Sequence, residues 1–288
     1  MNLALWLEQA GRTDSDRPAV GVGQHVLHDY AGLAERAARF ASGLRTLCGL
    51  APGDRVALVT KNCPQFLEIL WGTWWAGCAS VPINAKLHGA EIGYILEQSG
   101  ARICLAGADL VDAVAAHAPA GLERLIPIGG RNYDALIAAE AMACAEVPGD
   151  SLAWLFFTSG TTGRPKGAML SHANLMAASY AYLAEVDPVR QGDVTLLSAP
   201  MSHGAGIYIM PHVLARGTCV IPESGAFEPA EIFALASHWR NASMFAAPTM
   251  VKRMVAARED VDPDAFRTIV YGGAPMYVED AVRALTPT

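Results

Sequence analysis

The sequence lacks any Cys-x-x-Cys pair: its cysteines, at positions 48, 63, 78, 104, 144 and 219, are scattered. That spacing argues against a metal site or a redox dithiol and fits reduced thiols in a cytoplasmic enzyme. Charge is also scarce. Charged residues make up 17% of the chain, the net charge is −7, and there is no long block of Lys and Arg. A nucleic-acid partner held by phosphate neutralisation is therefore not expected. No secretion signal is visible either, because "MNLALWLEQAGRTDSD" has no basic start and acidic residues follow at once. The longest run without Asp, Glu, Lys, Arg or His, Ile69 to Ala85, is broken by Gly72, Gly77, Pro82 and Asn84. It reads as helix, turn and strand, so no transmembrane segment is expected. There is no internal repeat and no low-complexity tract.

Apolar residues are what the chain has in quantity. They form 52% of its 288 residues, enough for the core of one large domain or two ordinary ones. From residue 53 onward, short apolar runs alternate with segments of helical period. "RVALVT", "ASVPIN", "RICLAG", "RLIPIG", "LAWLFFT", "VTLLSAP", "TCVIP", "SMFAAP" and "TIVYGG" read as strands covered on both faces. Between many of them lie helix candidates such as Glu91 to Ser99, Ala173 to Glu185 and Pro229 to Trp239. The expected fold class is α/β, with mostly parallel sheets flanked by helices. Near the start, Leu33, Ala37, Phe40, Leu44 and Leu47 form one stripe of a helix, while Glu35, Arg36 and Arg45 face away. "CAEVPGD", residues 144 to 150, is the best candidate for a connection between two lobes.

The most unusual stretch is "LFFTSGTTGRPKGAML", residues 155 to 170. Leu152 to Thr158 reads as a buried strand, and Ser171 is well placed to cap a helix beginning near His172. The loop is therefore expected between a strand and a helix, outside the carboxyl end of a strand, where open α/β sheets bind ligands. Gly160, Gly163 and Gly167 permit close approach of backbone to a ligand. Thr158, Ser159, Thr161 and Thr162 add hydroxyls, and Lys166 adds a mobile positive charge. This chemistry suits a polyphosphate. It is not a Walker loop, since Lys166 is followed by Gly167 rather than Ser or Thr, which disfavours a P-loop kinase. A flexible Ser/Thr/Gly linker is the bland alternative, and the apolar strand immediately before it speaks against that.

"FTSGTTGRPKG", Phe157 to Gly167, resembles the signature loop of the AMP-forming adenylating enzymes, which include acyl-CoA synthetases, peptide-synthetase adenylation domains and beetle luciferases. "GDRVALVTKN" with "FLEILWGTWWAGCASVPIN", and "YGGAPM" at 271 to 276, resemble further segments of that family, and "FAAPTM" at 245 to 250 resembles the strand end that lines its acyl pocket. The resemblance implies an ATP-dependent carboxylate–CoA ligase acting on a small fatty or aryl acid, with ATP, Mg2+ and CoA as cofactors or co-substrates. It implies that Thr158, Ser159, Gly160, Thr161, Thr162, Gly163 and Lys166 hold phosphates, and that Gly273, Ala274 and Pro275 pack on adenine. Lys166, Thr162 and His203 are the catalytic candidates. His203, Gly204, Ala247 and Gly272 would border the acyl group. Apart from the resemblance, His203 reads as a helix-start histidine and "YGGAP" as a turn. The family commonly has an aromatic residue where Ser202 stands here. The tryptophans at 71, 74 and 75 read as core, and the other histidines show no metal-ligand spacing.

The resemblance carries two further expectations. Residues 1–48 plus 190–288 would form one α/β lobe and 49–189 the other. The family's magnesium-binding Glu, its ribose-binding Asp and its lid lysine have no counterpart before Thr288. This chain is thus expected to be the first part of a large domain, nearly inert alone and prone to self-association or to forming a homo-oligomer. The alternatives are an adenylation domain loading a carrier protein and a non-catalytic nucleotide-binding remnant.

Overall fold

The structure, a computed structural model, describes residues 1–158, 164–257, 262 and 265–285. The chain opens with α1 (Leu5–Thr13) and an antiparallel pair, β1 (Pro18–Val22) and β2 (His25–Asp29), followed by α2 (Tyr30–Thr46). Strands and helices then alternate: β3 (Arg55–Thr60), α3 (Pro64–Trp75), β4 (Ala79–Asn84), α4 (Gly89–Ser99), β5 (Ile103–Ala106), α5 (Val111–Ala115), β6 (Arg124–Pro127) and α6 (Arg131–Ile137). β7 (Leu152–Thr158), β8 (Lys166–Ser171) and α7 (His172–Glu185) come next. The chain continues through β9 (Val194–Leu196), α8 (Gly204–Ile207), α9 (Ile209–Leu214), β10 (Thr218–Ile221), α10 (Pro229–Trp239), β11 (Ala242–Ala246), α11 (Pro248–Ala257), β12 (Phe266–Tyr271) and α12 (Val278–Leu285).

Two compact units divide the chain. The first comprises Met1–Ser15 and Tyr30–Ala178. Its sheet runs β6-β5-β3-β4-β7-β8, parallel throughout except for the antiparallel β7–β8 pair. Ala57, Val59, Val81, Ile83, Cys104 and Ala106 turn one face of it onto Ile92, Ile95 and Leu96 of α4. Alternation along β3 sends Val56 and Leu58 to the opposite face. Trp71, Trp74 and Trp154 are fully buried, and Trp74 donates its indole N–H to the Ala153 carbonyl at 2.8 Å. The tryptophans are core, as their apolar surroundings predict.

The second unit comprises Asp16–Asp29 and Ser179–Thr288. Its sheet runs β12-β11-β9-β10-β1-β2, with only the β1–β2 pair antiparallel. Met244 and Ala246 of β11 join Val194, Leu196, Val220, Ile232 and Leu235 in a closed apolar core on one face. Strand order reverses between β11 and β9. From β9 the chain moves toward β10, and from β11 it moves the other way, toward β12. Such a switch point leaves a crevice at the carboxyl ends of the two strands, where open α/β sheets take ligands.

The lobe boundaries differ from the expected ones. Residues 30–48 belong with the first unit, because α2 buries Leu33, Ala37, Phe40 and Leu44 and packs on α1, α3 and α6. Leu47, expected on that stripe, is exposed. Only the short segment carrying β1 and β2 passes to the second sheet. Residues 144–150 lie within the first unit and do not connect the two; the later crossing falls inside α7.

Candidate functional site

In the first unit, β7 carries the chain to Thr158 and β8 brings it back from Lys166. These two residues face each other across the antiparallel ladder. The loop is thus the tip of a hairpin, not the strand-to-helix turn expected from sequence. β8 was concealed because "KGAMLS" is an exposed edge strand without apolar alternation. The loop still leaves the carboxyl end of β7, which runs parallel to β4. Ser159, Gly160, Thr161, Thr162 and Gly163 lie outside the described residues.

Both flanks of that loop are anchored. Phe157 belongs to the apolar cluster under α4, and Gly167 opposes it, where a Cβ would come 3.0 Å from the ring. The bare backbone at Gly167 therefore lets β8 cross over an aromatic face. On the other flank, the Arg164 guanidinium lies over Tyr94 of α4, 5.7 Å from the ring centroid. Lys166 is exposed, and among the described residues no carboxylate pairs with it. Its ammonium is available to an anion.

In the second unit, the carboxyl ends of neighbouring strands carry the remaining candidates. His203 precedes α8, Ala247 lies between β11 and α11, and Gly272, Gly273, Ala274 and Pro275 form the turn after β12. Gly273 has φ 88°, the left-handed region that favours glycine, and it is exposed together with Ala274 and Pro275. Gly204 and Gly272 converge on one side chain, Phe245. His203 is half-buried, its Nδ1 lies 3.1 Å from the Ser202 hydroxyl, and burial moves its pKa below the ordinary 6.5. Its ring is accordingly neutral at pH 7. Among the described residues, no group of three or more His, Cys, Asp or Glu side chains could hold a metal ion. None of the described helices is long and apolar enough to cross a membrane.

A family model described as AMP-binding enzyme matches residues 7–287. The chain belongs to that family. It is 35% identical over 287 residues to a feruloyl-CoA synthase of an Amycolatopsis species, covering 98% of this chain and 56% of that protein. It is 32% identical over 254 residues to the long-chain-fatty-acid–CoA ligase FadD13 of Mycobacterium tuberculosis, covering 86% of this chain and 50% of the relative. The chain spans about half the length of these curated relatives. Its structure is similar to that of the inhibitor-bound N-terminal domain of FACL13 from Mycobacterium tuberculosis. The TM-score is 0.89 at 28% identity, over 98% of this chain and 72% of the other.

In this member of the AMP-binding family, sequence reasoning missed the aromatic and charged partners of Phe245 on the face of the second sheet opposite its apolar core. Tyr208 stacks on Phe245 with ring centroids 5.5 Å apart and planes at 20°, and Tyr182 meets Tyr208 edge-on at 5.1 Å. The Tyr182 hydroxyl and Ser243 both donate to Asp187, at 3.2 and 2.7 Å. Arg267 of β12 pairs with Asp187 at 2.7 Å and also with Asp193. The signal was present in "ASMFA", where alternation puts Ser243 and Phe245 on the face opposite Met244. The partners come from α7, from the loop after it, from the junction of α8 and α9 and from β12, so they meet only through tertiary packing.

Proposed function

We propose that this chain is the nucleotide- and acid-binding part of an ATP-dependent carboxylate–CoA ligase. In such a reaction a carboxylate oxygen attacks the α-phosphorus of ATP, and the bond to the bridging oxygen breaks to release pyrophosphate. The CoA thiol then attacks the acyl carbon, expelling AMP and giving up its proton. The first step brings two anions together, so preorganised positive charge and positioning supply most of its rate. Lys166, exposed at the foot of the hairpin, would meet the phosphates together with Thr158 and residues 159–163. Gly273, Ala274 and Pro275 would pack on adenine through exposed backbone. His203, Gly204, Ala247 and Gly272 would border the acid.

The neutral state of His203 refines its role: it would act as a wall and a hydrogen-bonding group rather than as a counter-charge for the carboxylate. The observation that carries the proposal is the exposed ammonium of Lys166, held opposite Thr158 at the root of the glycine–threonine loop. Equilibrium binding of ATP to this chain tests it. Saturable binding is expected, weakened about tenfold in Lys166→Ala as a charge-assisted hydrogen bond is lost. The thermal transition should stay unchanged, because the side chain is exposed. No binding, or equal affinity in the variant, would refute the assignment.

A further inference from the structure

Phe245 closes β11 half-buried, and the outer edge of its ring reaches two backbone positions at once. A Cβ on Gly204 would lie 2.9 Å from Cζ, and one on Gly272 would lie 3.2 Å from Cε2. The ring thus fills the space between the start of α8 and the turn after β12. Both of those glycines are among the positions assigned to the border of the acyl group.

We propose that Phe245 is the stop of the acyl site and restricts this protein to compact, flat acids of the aryl class. This inference rests on the carboxylate–CoA ligase reading above and adds the substrate class. The ring is held in place. Tyr208 stacks on it, Tyr182 braces Tyr208 edge-on, and the Tyr182 hydroxyl is tied to Asp187, which is buried and paired with Arg267. On the reverse face of the sheet, Met244 and Ala246 seal into the apolar core and offer no detour. A polymethylene chain extending past Gly204 and Gly272 has to displace the Phe245 ring and break its stack. A planar aryl group ends before the ring or packs against it in an offset or edge-on manner.

Calorimetric titration with non-hydrolysable acyl-adenylate mimics carrying benzoyl, cinnamoyl or dodecanoyl groups tests this on wild type, Phe245→Ala and Phe245→Leu. Wild type is expected to bind the two aryl mimics about tenfold or more tighter than the dodecanoyl mimic, in line with the discrimination one packed pocket wall provides. Phe245→Ala should abolish or reverse that preference, and Phe245→Leu should reduce it. If Phe245→Ala fails to fold by circular dichroism, Phe245→Leu decides. Equal binding of all three mimics by wild type, or an unchanged preference in a folded variant, overturns the stop while leaving the ligase reading in place. Failure to bind any mimic overturns the acyl-adenylate reading and the stop with it.

Discussion

A carboxylate taken out of water costs free energy unless its lone pairs are used, and Glu68 of α3 is only 1% exposed. Arg36 of α2 donates to both of its oxygens, at 2.7 and 2.9 Å, and the Tyr133 hydroxyl of α6 donates at 2.6 Å. The hydrogen bond to Glu68 raises the Arg36 pKa, and burial followed by the charge of Glu68 raises that of Tyr133. One residue thus ties three helices together. Glu68→Ala is expected to lower stability by about 3 kcal/mol, the low end for breaking a buried pair because Arg36 remains partly in water. Tyr133→Phe should cost about 1 kcal/mol. Urea midpoints measure both, and a Glu68→Ala protein as stable as wild type would show that the triad contributes nothing net. The sequence shows only a lone acid in "FLEILWGTWW"; its partners lie 32 and 65 residues away along the chain.

At the scale of elements, the clearest local rule is the start of α7. Ser171 accepts from the Asn174 backbone N–H at 3.1 Å, and Asn174 Oδ1 accepts from the Ser171 backbone N–H at 3.0 Å. This reciprocal cap uses two groups that the first turn of a helix would otherwise leave unpaired. Ser171→Ala should lower stability by about 1 kcal/mol in chemical denaturation. A change within error would mean that water replaces the cap at no cost. The cap was legible because it spans three residues. The strand β8 directly before it was not, since its pairing is supplied by β7 across the loop and its own side chains are largely exposed. The antiparallel β1–β2 pair escaped notice for a similar reason: β2 is an exposed edge strand.

Over the whole molecule, each unit buries one histidine completely. In the first, His172 Nδ1 accepts from the Leu3 backbone N–H at 3.1 Å; in the second, His212 Nδ1 donates to the Tyr208 carbonyl at 2.7 Å. Burial pushes both pKa values from 6.5 down to about 4. Between those limits the unfolded chain binds protons that the folded chain refuses. The stability due to their neutral burial is therefore complete above pH 6.5 and declines as the pH falls toward 4. Each histidine should remove about 1.4 kcal/mol per pH unit in that window. Denaturant titrations at pH 7, 5.5 and 4.5 measure the slope, and His172→Gln and His212→Gln should each flatten it. A flat profile in the wild type would contradict the neutral burial of both rings.

The sequence by itself determined the α/β class, the extent of β7 and α10, and the burial of the tryptophans. All of these depend on neighbours within a few residues: apolar period, turn composition and the breaks between runs. Only the tertiary structure decided that the loop tips a hairpin, that residues 30–48 pack with the first unit, and that Phe245 fills the gap beside Gly204 and Gly272. Those outcomes depend on which distant surfaces meet, and in a sheet that choice is made by pairing between strands far apart in the chain. A residue's own surroundings in sequence carry no record of it.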